Sequence, residues 1–137
     1  MTAASPGNGA SLADVLADLG RALPGARLAV LLDTEGLVVA ARAFGPAPEP
    51  GVLAAEVAGC FAGMGRVAVA ARLGPGLEWS ITGAGGVLVC RRVPGRELFL
   101  GVLADPGTWQ GRVRFAARVA AGRLAEALGP PGHSRSW

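Results

Sequence analysis

The residues that could carry out chemistry are few, and their spacing does not assemble them. The single histidine, His133, lies in a Gly/Pro/Ser-rich stretch, where nothing would position an imidazole as a general base. Asp33 and Glu35 share a short segment, Asp33-Thr34-Glu35-Gly36. A carboxylate in such a turn ordinarily caps backbone amides or is solvated, and metal chelation there is the lesser expectation. Cys60 and Cys90 show neither CxxC nor Cys/His spacing and read as buried apolar side chains. The chain contains no lysine, so it has no GxxxxGK phosphate loop. Gly83-Ala84-Gly85-Gly86 is followed by no helix start that would complete a phosphate cradle. No catalytic, cofactor-binding or metal-ligating residue is therefore expected, and no cofactor; the chain reads as a non-enzyme.

Charge narrows the classes further. All 13 cationic side chains are arginines, scattered from Arg21 to Arg135, and the net charge is +3. Without a dense basic stripe or interleaved aromatics, no nucleic-acid partner is expected. Charged residues make up 17% of the chain, against roughly a quarter in ordinary soluble domains, which implies that part of the surface is covered by a partner. Asp, Glu, Arg or Pro interrupts every long apolar run, and the first ten residues lack a basic segment followed by an apolar block. The expectation is a cytoplasmic protein with no membrane partner.

Elements then follow in order. Residues 1–10 are composed as a disordered tail, residues 11–128 as a single domain and residues 129–137 as a flexible tail. Ser11 with Asp14 three positions on marks a helix start, and Leu12, Val15, Leu16, Leu19 and Leu23 share one face up to Pro24-Gly25. Residues 26–33 and 37–43 are apolar runs joined by a turn with Gly36 where positive φ is needed, so they form an antiparallel hairpin.

Residues 52–73 form a second helix with Leu53, Val57, Cys60, Phe61, Met64, Val67, Ala68 and Ala71 on a broad face meeting the sheet. Only Glu56 and Arg66 are charged between Val52 and Ala71, and Ala55, Gly59 and Gly63 recur at i, i+4 spacing. Each interior glycine costs about 0.8–1 kcal/mol relative to alanine, so a close helix contact with a partner subunit is expected, the alternative being Ala/Gly compositional drift on a merely solvent-facing side. Leu77-Glu78-Trp79-Ser80-Ile81-Thr82 alternates apolar and polar, as an edge strand does. Such an edge invites pairing with another chain. Strands at 87–93 and 97–104 follow; the fully apolar runs at 28–32 and 98–103 belong in the middle of the sheet, and Thr108 can cap a last helix carrying Val113, Ala117, Ala120, Leu124 and Leu128 on one face. The order is α-β-β-α-β-β-β-α, an α+β domain, and Leu77, Trp79 and Ile81 join Ala55, Gly59 and Gly63 as the expected dimer interface.

Three stretches make the chain resemble the roadblock/dynein light chain 7 family, which includes MglB-type bacterial partners of Ras-like GTPases. They are Gly25-Ala-Arg-Leu-Ala-Val-Leu-Leu-Asp33 running into Thr34-Glu35-Gly36-Leu37-Val38-Val39-Ala40, the Ala-rich second helix, and Leu103 through Gly111-Arg112-Val113-Arg114. The resemblance implies a five-stranded antiparallel sheet of order 2-1-5-4-3, with the second helix on one face and the first and last on the other. It further implies a homodimer through strand 77–82 and helix 52–73, and a small Ras-like GTPase as partner that the dimer regulates or scaffolds.

An activator can insert an arginine to stabilise charge on a transferring phosphoryl group. Arg91, Arg92, Arg96, Arg112, Arg114 and Arg118 are the possible sources, with solvated surface charge the ordinary reading. Arg112 and Arg114 lie near the positive end of the last helix, where a crossing carboxylate or an acidic partner would stabilise them. A rival reading is a small-molecule sensor with an apolar cavity among Phe61, Met64, Trp79 and Phe99.

Overall fold

The computed structural model describes residues 10–130; the expected tails at 1–10 and 129–137, and His133 with them, fall almost wholly outside the described residues. Eight elements run α1 (Leu12–Ala22), β1 (Ala26–Asp33), β2 (Val38–Ala43), α2 (Pro50–Ala70), β3 (Glu78–Gly83), β4 (Gly86–Arg92), β5 (Leu98–Ala104) and α3 (Gln110–Leu128). The strands form one antiparallel sheet of order β2-β1-β5-β4-β3. Alternation explains that order. β1 and β5 are apolar on both faces and lie inside the sheet, whereas β3 is open on one side and lies at an edge.

Helices cover both faces. Val15, Leu16 and Leu19 of α1 and Val113, Ala117 and Leu124 of α3 pack on Ala29, Leu31, Val89, Leu100 and Val102. On the opposite face Ala54, Val57, Ala58 and Phe61 of α2 pack on Val30, Leu32, Cys90 and Phe99. α1 begins with the expected capping box: Asp14 N donates to Ser11 Oγ and Ser11 N donates to Asp14 Oδ2, both at 3.1 Å. Asp18 ties α1 to α3 by accepting from Arg123 Nη1 at 2.9 Å, and it also pairs with Arg21 on its own helix.

The hairpin turn depends on glycine. Gly36 has φ +86°, and a Cβ there would lie 2.8 Å from the α-carbon of Ala55, so the turn packs directly on the backbone of α2. Asp33 Oδ1 accepts from the amides of Glu35 (2.9 Å) and Leu37 (3.0 Å). The carboxylate therefore stabilises the turn, as the ordinary reading of that residue expects.

One capping expectation fails. The N-cap of α3 is Trp109, without a side-chain cap bond, because Thr108 belongs to the preceding turn, where its amide donates to Asp105 O at 3.0 Å.

Candidate functional site

α2 starts where Glu49 accepts from the amide of Gly51 at 2.6 Å and Pro50 enters the first turn. Its apolar surface is wider than the stripe the sheet can cover. Val57, Phe61 and Ala68 are buried as expected, whereas Cys60, Met64, Val67 and Ala71 are exposed. The sheet covers only one arc of the cylinder, and the eight apolar positions span more than that arc. Cys60 is thus not a buried side chain, unlike Cys90, whose thiol is pushed well above its ordinary range by burial and, second, by Cys60. α2 is also long and apolar enough to cross a membrane by length and composition; its inner stripe is instead seated on the sheet.

Beside the exposed flank of α2 lies β3. Cys60, Gly63, Met64 and Val67 of α2, with Trp79, Ser80 and Ile81 of β3, line a shallow, almost wholly apolar hollow of about 400 Å³. Val67 is 58% and Ile81 54% exposed. Leu77, just before β3, is exposed as well.

Of the six expected interface residues, Gly63, Trp79 and Ile81 meet in this hollow and Leu77 is exposed just before β3. Trp79 has a second attachment: its ring packs on Phe61 at 5.6 Å between centroids, and its Nε1 is buried without a hydrogen-bond partner among the described residues. Ala55 sits over the Gly36 turn. Gly59 is exposed with open space where a Cβ would be, and a Cβ on Gly63 would meet only Arg66 Nη2 at 3.7 Å. Nothing within the described chain offsets what these two glycines cost the helix.

The other face of β3 is polar and fastened to α3. Glu78 accepts from Arg91 Nη1 at 3.1 Å and from Arg114 Nε at 2.6 Å, and Gln110 Nε2 donates to Ser80 Oγ at 2.7 Å. Glu78 is the crossing carboxylate that Arg114 needs at the positive end of α3. The edge strand is therefore held from behind while its α2 side stays open.

Four of the six candidate arginines have intramolecular partners. Arg91 and Arg114 share Glu78. Arg92 donates to Gly76 O, pairs with Glu97 at 3.5 Å and stacks over Phe99. Arg96 donates to the carbonyl of Gly129. Arg112 and Arg118 are exposed and make no ion pair among the described residues.

The interior proposed for a small ligand is filled by its own aromatic rings: Phe61 stacks on Phe99 at 3.8 Å, 5° from parallel, with Trp79 against Phe61. Met64, the fourth residue of that reading, is on the surface.

A five-stranded sheet of this order, with one long helix on one face and two on the other, is the roadblock/LC7 architecture. A roadblock/LC7 domain from Streptomyces avermitilis matches 87% of this chain and 98% of its own length, with TM-score 0.76 at 19% identity. Within that class, the gliding protein MglB from Thermus thermophilus matches 85% of this chain and 87% of its own length, with TM-score 0.78 at 27% identity. An MglB in a tetrameric arrangement matches 85% and 86%, also with TM-score 0.78 at 27% identity. No protein-family model and no curated protein matches the chain. The chain thus has the roadblock/LC7 fold and is similar to MglB among the solved structures.

Proposed function

We propose that the chain is a non-catalytic homodimer that binds a small Ras-like GTPase in the cytoplasm and regulates or scaffolds it. The observation that carries this reading is the continuous open surface of Met64 and Val67 on α2 with Leu77 and Ile81 beside and on the unpaired edge β3. An open sheet edge next to an apolar helix flank suits a second copy, because one two-fold axis can pair β3 with β3 and pack α2 on α2. Association of roadblock-type folds with GTPase regulation, and a tetrameric arrangement in one MglB relative, support the same reading.

Light scattering on the full chain tests the dimer: a mass of twice 13.7 kDa is expected. Ile81→Lys should halve it, because a lysine at the seam buries an unpaired charge in both copies. Trp79 is left intact in that variant, since its ring also belongs to the core. Co-elution with GTP-loaded small GTPases from the same genome tests the partner. A monomeric wild type refutes the seam, and dimers that retain no GTPase refute the partner.

A further inference from the structure

On the sheet face opposite α2, a second apolar groove runs between the end of α1 and the first half of α3. It holds about 520 Å³ and is lined chiefly by Leu23, Trp109, Arg112, Phe115, Ala116 and Val119. Trp109 is 76% and Phe115 66% exposed. Large aromatic side chains standing together in solvent mark interaction surfaces, and Arg112, Phe115 and Val119 recur at the spacing of one helix flank.

The one charged side chain in the lining of the groove is Arg112. Every arginine of α3 has a carboxylate except Arg112 and Arg118: Arg114 has Glu78 and Arg123 has Asp18. No acidic side chain lines the groove. The first turn of α3 contains none either, and Trp109 makes no side-chain cap bond, so the positive helix end adds to the guanidinium of Arg112 in the lining and to that of Arg118, outside the lining but three residues on from Phe115.

We propose that this groove receives an amphipathic helix from a partner protein, one whose apolar stripe is flanked by Asp and Glu side chains. The apolar row would enter between α1 and α3 while the carboxylates meet Arg112, Arg118 and the open end of α3. Charge disfavours the other occupants. A second copy packed α3 on α3 would bring Arg112 and Arg118 against their own counterparts with no carboxylate between them. Residues 1–9 and 131–137 contain no acidic side chain, and the latter add Arg135. The site is independent of the α2 and β3 surface, so it holds for a monomer as well as for a dimer.

The test uses two fluorescein-labelled helical peptides of about 18 residues, long enough to fold on docking. Both carry leucines at i, i+3, i+4 and i+7, flanked by Glu in one and by Lys in the other. Anisotropy titrations with the full chain should show the Glu peptide binding at least about tenfold more tightly, with an affinity that falls as salt rises. Phe115→Ala should weaken it by about tenfold or more. Arg112→Ala with Arg118→Ala should remove most of the salt dependence; both are surface changes, and unchanged circular dichroism verifies the fold. Failure of the Glu peptide to bind, equal binding of the two peptides, or binding that survives Phe115→Ala overturns the proposal. A fall in mass on Phe115→Ala would make the occupant a second copy, and a gain in peptide affinity on Trp137→Ala would make it the chain's own C-terminal segment. Either result also overturns it.

Discussion

Gly59→Ala with Gly63→Ala should push folding and association in opposite directions. Both glycines lie inside α2, where helical φ and ψ suit alanine, and neither added Cβ meets anything closer than Arg66 Nη2 at 3.7 Å. The isolated subunit should gain about 0.8–1 kcal/mol at each position from helix propensity. If α2 packs on its two-fold mate through these glycines, each new methyl group intrudes on a close-packed contact, and overpacking of that kind costs about 1–3 kcal/mol. Both copies carry every substitution. Even at the lower end, four intrusions of about 1 kcal/mol raise the dissociation constant roughly a thousandfold.

Thermal melts by circular dichroism over a dilution series read both effects together. Below the wild-type dissociation constant the variant should melt higher than the parent by its full helix-propensity gain, and above it that advantage should shrink, because the parent gains from association that the variant has lost. The two lines of midpoint against log concentration should therefore converge. A variant more stable by the same margin at every concentration, with an unchanged light-scattering mass, refutes the reasoning. It would show that the glycines face only solvent.

Two further perturbations test the fold that positions these surfaces. Gly36→Ala places a side chain at φ +86° with its Cβ 2.8 Å from the backbone of Ala55; the left-handed conformation and the clash together should destabilise by about 2–5 kcal/mol in urea unfolding, and a loss under about 1 kcal/mol would show that the turn relaxes away from α2. Asp18 has its carboxyl pKa lowered below the ordinary 3.8, first by its hydrogen bond from Arg123 and also by Arg21, against an opposing effect of desolvation. A lowered folded value means that its contribution is present above the unfolded pKa and is lost as pH falls from there through the folded one. The wild-type melting midpoint should therefore fall more steeply below about pH 4 than that of Asp18→Asn, and parallel acid limbs would remove this pair from the α1–α3 contact.

The strands were the most legible part of the sequence. Residues 28–32 of β1 and all of β5 are runs with no polar interruption, as a strand covered on both faces requires, and β3 alternates, as a strand open on one side does. Faces of α2 were less legible for a definite reason. A helix apolar almost all the way round has little periodic contrast, so spacing could not separate Val57 and Phe61, under the sheet, from Cys60, Met64 and Val67, beside it. The low charge of the helix, not its periodicity, pointed to a covered outer surface. Thr108 was a reasonable cap by residue type, and only the Asp105 turn shows why its backbone is used elsewhere.

The arginines mark where local reasoning ends. That Arg112 and Arg114 sit at the unfavourable end of α3 follows from helix polarity alone, and so does the need for a compensating carboxylate. Which carboxylate serves Arg114 is a tertiary fact: Glu78 lies 36 residues earlier, on the strand that forms the sheet edge. Among the described residues, the same fold that brings Glu78 to Arg114 brings no carboxylate to Arg112. A single rule of helix electrostatics thus divides the two residues, giving one a place in the bracing of β3 and leaving the other, beside Trp109 and Phe115, charged and open on the far face.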